Sequence, residues 1–491
     1  MQSDRDVGGE GRNGKSFAKI IDTHPTEIRK EESPPDTGRA YLVPEVERSR
    51  IRFRMHMKGK MEQGELFEQI DDLFDQLCDK QTLFEAFRAV KRNGGSPGVD
   101  GVDIPTFEMQ LKEEIARLQA ELRSWSYKPR PVRRVEIPKP TGGVRQLGVP
   151  CVRDRVVQGA IKQLLEPMFD PQFSESSYGF RPGRNQRQAV EAAQRYVAEG
   201  KGYVVDLDLS KFFDRINHDR LLWRVKQTMD DKRIIKLIGL ILRSGVSTGE
   251  TIERTAEGTT QGSPLSPLLS NIVLDELDKE LEARGLSFCR YADDVIIFVG
   301  SQKAAHRVME SVTNLLERRM KLPVNRQKTK VARAGQVAFL GMTVFRDRVV
   351  ISRQALERAN AKIRELTPRR SGRTIEQAIE RFNRWYRGWT TYYEMTNNPN
   401  QLKQLEAHAR RRFRAQLLRN LKRKRNYARA LRRAKLNPAS AFKNRGWWTM
   451  SSQFPATRLY SNAWFDQRGL YVKSTETHDH WSPIKSRRRT S

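Results

Sequence analysis

The stretch RYADDVIIF, residues 290–298, constrains this chain more than any other. It sets two adjacent aspartates, Asp293 and Asp294, between apolar runs of β-forming residues. Neighbouring carboxylates repel one another and resist burial unless a positive charge, most simply a metal ion, lies against them. A strand–turn–strand with the acids at its tip suits the apolar flanks and leaves Asp293 at the end of a sheet. A second stretch, YVVDLDLSKFFD (203–214), reads as a strand; its period of two puts Asp206 and Asp208 on one face and Val205 and Leu207 on the other. Paired as neighbouring strands, the two segments bring Asp208 and Asp293 to one small site. Such a site suits two Mg²⁺ ions about 3.5–4 Å apart, which activate a 3′-hydroxyl and stabilise departing pyrophosphate. Taken alone, the Asp–Asp pair is equally well an exposed turn.

Charge narrows the choice of partner. The 491 residues carry 91 Lys and Arg against 59 Asp and Glu, a formal net charge of +32. That excess points to a polyanion, nucleic acid ahead of an acidic membrane surface. The longest apolar run, IIKLIGLIL (234–242), is too short to span a bilayer and contains Lys236. The first residues, MQSDRDVGGEGRNGK, lack an apolar signal core. Cys78, Cys151 and Cys289 are far apart in sequence and predict free buried thiols in a reducing compartment. The histidines form no zinc pattern; His478 and His480 read as surface decoration.

Residues 1–60 mix both charge signs without a sustained hydrophobic period and predict a disordered extension. Leu66, Ile70, Leu73, Phe74 and Leu77 recur at helical spacing, and a further helix is predicted around 104–123. Two strands flank the turn Pro140–Gly143. Helices are predicted around 154–168 and 184–198, through roughly 243, and from near Pro264. After the YADD hairpin comes a helix with Val308, Val312, Leu315 and Leu316 on one face, then short strands near 336–345 and 348–352. Beyond 353 the text is helical and increasingly basic: Arg410 to Lys435 holds thirteen Lys and Arg and no acid.

In order along the chain stand GSPGVDG, IPKPTGGVRQLGVP, SSYGFRPGRN, DLSKFFDRINHD, GTTQGSPLSPLLSNIVLDELD, RYADD, VNRQKTK and FLGM, followed by FNRWYRGWTTYY and YSNAWFDQRGL. This series, from about residue 62 to about 472, resembles the reverse transcriptases encoded by bacterial group II introns. The resemblance implies an α+β right-hand polymerase, with fingers, a palm built on an antiparallel sheet, a helical thumb and a basic C-terminal helical segment. The corresponding expected bounds are 1–60 for the extension, 61–353 for fingers and palm, 354–436 for the thumb or maturase domain, and 437–491 for a DNA-binding-like segment and tail.

Carried over residue by residue, it implies that Asp208 and Asp293 bind metal, with the Leu209 carbonyl as a further ligand and Asp294 as the third acid. Asp206 rivals Asp208, but the family's aromatic five positions later matches Phe213 only from Asp208. That aromatic lies against the nucleotide sugar. Asp214 reads as a helix cap rather than a ligand. Lys139 and Arg145 flank the hairpin turn, and their counterparts grip the incoming triphosphate. Gln261 and Gly262 lie just before a helix N-terminus and suit the nucleotide and template base. Lys328 resembles the lysine that protonates pyrophosphate, with Lys330 as alternative, and Phe339, Leu340 and Gly341 resemble the primer grip. For Arg181 two readings stand, template contact or structural salt bridge.

Trp385, Tyr386, Trp389, Tyr392 and Tyr393 suit the apolar face of an amphipathic helix. Arg384, Arg387, Arg410, Arg411, Arg412 and Arg414 are the candidates for phosphate contacts. No Cys- and His-dependent endonuclease pattern follows Leu470, so an endonuclease-lacking type is expected. The implied activity is RNA-directed DNA synthesis from dNTPs with two Mg²⁺ ions, coupled to binding, splicing and copying of group II intron RNA into a DNA target and primer. The expected location is bacterial cytoplasm and nucleoid, with no membrane partner. The alternatives are a freestanding, domesticated reverse transcriptase in repair or defence, and a non-catalytic splicing scaffold.

Overall fold

The computed structural model describes residues 73–138, 144–249, 251–253, 257–370, 372–441 and 451–474. The expectations placed on residues 1–60, Leu66, Ile70, Lys139, the Pro140–Gly143 turn and the His478/His480 pair lie outside them.

Side-chain caps set where many helices begin. Asp79 accepts from the Gln81 and Thr82 amides and starts Lys80–Asn93, so the first helical stretch is broken after Leu73–Leu77. Gln110, in a non-helical backbone conformation and without a side-chain cap, divides the second into Ile104–Met109 and Leu111–Arg123. Asn185 and Gln188 form a reciprocal capping box at Gln186–Ala198. Asn217, not Asp214, caps His218–Thr228: its side chain accepts from the Arg220 amide, while Asp214 ends a short 3₁₀ turn, Phe212–Asp214.

Among the described residues, ten strands form three sheets. β1 (Val132–Pro138) and β2 (Val144–Val149) are the predicted hairpin, extended by the short β4 (Val246–Ser247) and β5 (Ile252–Glu253) in the order β2-β1-β4-β5. The central sheet has the order β6-β7-β3-β8 and is antiparallel throughout. Its strands are β3 (Tyr203–Leu207), β6 (Ser287–Tyr291), β7 (Asp294–Val299) and β8 (Lys330–Arg333). β9 (Met342–Val344) and β10 (Val349–Ile351) make a separate ribbon. The sequence reading did not find β4, β5 or β8, which are two to four residues long and have no buried residue.

Both faces of the central sheet are covered, which is why its strands read as apolar runs. Val205, Leu207, Val295 and Ile297 pack with the helices Val152–Phe169 and Ser266–Ala283 in one core. Val204, Cys289, Ile296 and Phe298 face a second core, shared with Gln186–Ala198, Arg353–Leu366, Ile375–Tyr392 and Pro399–Asn420. Each large apolar side chain buried in this way contributes about 1.5–3 kcal/mol. Tyr386, Trp389 and Tyr393 belong to that second core, with Trp385 and Tyr392 packed against it. All three cysteines are free and buried. Among the described residues no helix is long and apolar enough to cross a membrane.

Candidate active site

The register of the central sheet brings the acids together. β3 pairs with β7 as Asp206↔Ile296 and Leu207↔Val295, so Asp208, one residue further, comes level with Asp294. Tyr291↔Asp294 closes the β6–β7 hairpin over a loop of Ala292 and Asp293, and Ala292 takes φ 58°. On the other side of β3, Asp206 pairs with Lys330 of β8.

Asp206 of β3 and Asp208 just beyond it each meet a lysine. Lys328 Nζ lies 3.3 Å from Asp208 Oδ2, and Lys330 Nζ lies 3.6 Å from Asp206 Oδ2. The Asp208 amide donates to Thr329 Oγ1, and its carbonyl accepts from the Asn325 amide at 2.8 Å. Leu209 bridges Val324 across the same join. The acids of the turn are short of positive charge. Burial, with Asp293, Asp206 and Asp208 close by, pushes Asp294 up to about 7. Burial also raises Asp293, opposed by Arg145 and reinforced by Asp208. This is the environment of hard oxygen donors and uncompensated negative charge that a divalent cation relieves. Among the described residues no three acidic, His or Cys side chains enclose a single point tightly, and the lysines supply the charge next to Asp206 and Asp208. It is the Asp293 and Asp294 carboxylates that fit a cation by charge and donor type.

A buried strut holds the turn. Arg290, fully buried, makes three bonds of 2.6–2.9 Å to the equally buried Asp278 carboxylate. Its remaining nitrogen donates to Asn271 Oδ1 at 2.8 Å and to the Ala292 carbonyl at 3.1 Å. Asn271 donates in turn to the Gly179 carbonyl, and a Cβ on Gly179 would stand 2.3 Å from the Ala292 amide nitrogen. None of these residues was singled out from the sequence. The available signal was an arginine inside an apolar strand, which demands a buried acid.

Of the other candidates, Arg145 is the one whose charge reaches the acids, and the rest have local settings of their own. Arg145 is exposed on β2 opposite Ile137, and its charge reaches Asp293. The Gln261 carbonyl accepts from the Gly148 amide at 2.9 Å; Gly262 has φ 117°, and a Cβ there would lie 2.7 Å from the Gly148 carbonyl oxygen. The 261–262 backbone thus lies flat on β2. Phe213 is half-buried and edge-on to the buried Phe212, with its carbonyl held at 2.6 Å by the Thr259 amide. Phe339 and Met342 exchange both backbone hydrogen bonds around Leu340 (φ 51°) and Gly341 (φ 77°), a tight turn of primed type. The Leu340 carbonyl accepts from Gln186 and from the Tyr392 hydroxyl, tying this turn to the helical C-terminal half.

The structure favours the salt-bridge reading of Arg181 and corrects the readings of Arg412 and Arg414. Arg181 is buried and consumed by the protein: it pairs with Asp170 at 2.8 Å and donates to the carbonyls of Asp170, Ser174 and Ser177. Arg414 is buried too, bonded to the Tyr460 carbonyl and Asn462 Oδ1, so packing and not phosphate sets its geometry. Arg412 caps the C-terminus of Arg353–Leu366 by donating to the Arg364 and Thr367 carbonyls. Arg384 is exposed and pairs with Glu380, Arg387 lies over the Tyr471 ring, and Arg410 and Arg411 stay at the surface, half-buried and exposed.

Two family models match the chain: "Reverse transcriptase (RNA-dependent DNA polymerase)" over residues 137–344 and "Group II intron, maturase-specific domain" over residues 356–435. The Escherichia coli protein YkfC is 33% identical over 320 residues, covering 57% of this chain and 84% of that protein. The putative COX1/OXI3 intron 2 protein of Saccharomyces cerevisiae is 28% identical over 329 residues, 55% of this chain and 38% of that one. The group II intron-encoded protein LtrA of Lactococcus lactis is 29% identical over 269 residues, 54% of this chain and 44% of that one. The chain thus spans most of YkfC but less than half the length of the other two relatives. Reverse transcriptase motifs, an antiparallel sheet carrying the acidic turn, and a maturase-specific domain following it make this chain a member of the group II intron-encoded reverse transcriptase/maturase family.

Proposed function

We propose that the protein is an RNA-directed DNA polymerase that binds group II intron RNA, assists its splicing and copies it into DNA at a DNA target and primer. The observation that carries the polymerase reading is the convergence of Asp208, Asp293 and Asp294 at one end of the central sheet, with Lys328 beside Asp208. Asp208, Asp293, Asp294 and the Leu209 carbonyl would hold two Mg²⁺ ions, which would supply Lewis acidity to the 3′-hydroxyl and the leaving pyrophosphate. The chain's own groups do the rest. Arg145, with Lys139, meets the dNTP phosphates, Phe213 bounds the sugar, and the 261–262 loop backs the base. Lys328 delivers a proton to pyrophosphate, a role its proximity to Asp208 supports, and the Phe339–Gly341 turn holds the primer.

On this reading, residues 61–353 form fingers and palm, 354–436 the thumb or maturase domain, and 437–491 the DNA-binding-like segment. The maturase-specific match and the intron-encoded relatives favour the intron reading over a freestanding enzyme, and the acidic cluster favours an enzyme over a scaffold. The test is to incubate the protein with a folded group II intron transcript and follow both splicing and primer-dependent cDNA synthesis. Faster splicing at low Mg²⁺ together with cDNA supports the proposal. Synthesis without any effect on splicing would leave a polymerase and remove the maturase.

A further inference from the structure

The helices Arg353–Leu366 and Pro399–Asn420 leave a cleft of about 410 Å³ between them. Asn360 and Arg364 line it from one helix, and Gln404, His408 and Arg411 from the other. Arg364 and Arg411 are exposed, and neither has an ion pair or side-chain hydrogen bond among the described residues. Arg412, next in sequence, is already committed to the Arg364 and Thr367 carbonyls. No Asp or Glu lines the cleft, so its guanidinium groups face one another's charge without an anion.

The histidine adds a second kind of group. Asn360 donates its amide to the Leu356 carbonyl at 3.0 Å, which turns its Oδ1 towards His408 Nδ1 at 2.6 Å. That oxygen only accepts, so Nδ1 carries the proton and Nε2 is left as an acceptor on the neutral ring. Burial and the charges of Arg411, Arg364 and Arg412 hold this imidazole down to about 4, so it stays neutral at physiological pH. A cleft therefore combines two unpaired guanidiniums with an imidazole acceptor.

A phosphate group satisfies guanidiniums through paired N–H donors. A free acceptor nitrogen asks for a hydroxyl donor, and a nucleotide carries a hydroxyl beside its phosphate only when the sugar is ribose. We infer that this cleft is a site for one nucleotide of an RNA backbone, its phosphodiester on Arg364 and Arg411 and its 2′-hydroxyl donating to His408 Nε2. The site rests on the proposed RNA binding and locates within it a contact that tells RNA from DNA.

The test is equilibrium binding of the full chain to a folded group II intron transcript and to single-stranded DNA of matching sequence, each across a salt series. The variants are Arg364→Gln/Arg411→Gln and His408→Phe, with thermal melts to verify folding. The double variant should lose about tenfold in RNA affinity, and its log–log salt slope should fall by about 0.7–0.9, one phosphate's share. His408→Phe should weaken RNA binding about threefold, the size of a single neutral hydrogen bond, and leave DNA binding unchanged. Inorganic phosphate at constant ionic strength should not displace the RNA. Wild-type protein that fails to bind the transcript would sink the RNA-binding reading itself. Normal wild-type binding with an unchanged slope in the double variant would overturn the cleft alone. Equal losses for RNA and DNA in His408→Phe would overturn the hydroxyl contact, and displacement by inorganic phosphate would make the cleft a free-anion site.

Discussion

Replacing Arg290 by Met separates what its buried ion pair does for stability from what its bond to Ala292 does for the acidic turn. Arg290 and Asp278 are both fully buried, so the single change strands a carboxylate without a partner and should cost about 3–5 kcal/mol. Adding Asp278→Leu removes that stranded charge; buried pairs exchanged for apolar residues of similar size are commonly close to neutral. The Ala292 carbonyl and Asn271 Oδ1 still lack the donor they share, at 3.1 and 2.8 Å, which leaves a deficit of about 1–3 kcal/mol. Stability should therefore largely return in the double variant. Activity should not, because the carbonyl next to Asp293 is no longer held, and a displacement near 1 Å at a reacting centre costs about a hundredfold in kcat. Urea unfolding gives the first quantity and single-nucleotide primer extension the second, at a temperature where the double variant is folded. KM for dNTP should change little. A double variant that is stable and extends primers at the wild-type kcat would refute the strut's role in positioning the turn.

Two further outcomes follow from neighbouring geometry. Phe213→Val should raise ribonucleotide incorporation relative to deoxyribonucleotide by about tenfold or more, near 1.4 kcal/mol in discrimination, read as the ratio of kcat/KM values; an unchanged ratio with a shift in Phe212→Val would place the sugar contact on the wrong ring. Arg414→Met should lower stability by about 1–3 kcal/mol by leaving the Tyr460 carbonyl without its donor, while the salt slope of RNA binding stays as in wild type; a flattened slope would return Arg414 to the nucleic-acid surface.

What could be read from the sequence was what periodicity and adjacency encode. The Asp206/Asp208 alternation and the apolar flanks of Asp293 and Asp294 predicted the strand β3 and the β6–β7 hairpin, while the α+β class came from the ordered series of family-like motifs. Charge partners are set by the folded chain and were not legible. Arg181, Arg412 and Arg414 look like any other basic residue until Asp170, the end of a helix and the 460–462 segment come to meet them. Asp278 stands 12 positions before Arg290 on a helix, and nothing local links the two. β8 escaped because its short text, basic at both ends, shows no alternation; only pairing with β3 makes it a strand and brings Lys328 and Lys330 to the acids. Asp214 was read as a cap because it precedes a helix, but Asn217 is the residue at the N-cap.

The most direct test of the central claim is primer extension on an RNA template in Mg²⁺ by Asp293→Asn, alongside its affinity for a group II intron transcript. The substitution removes one negative charge from the turn while keeping its size, and Asp293 is a side chain on the hairpin rather than part of either hydrophobic core. The account predicts that extension is lost while RNA binding and the melting temperature stay close to wild type. Near-normal extension by the variant would contradict it.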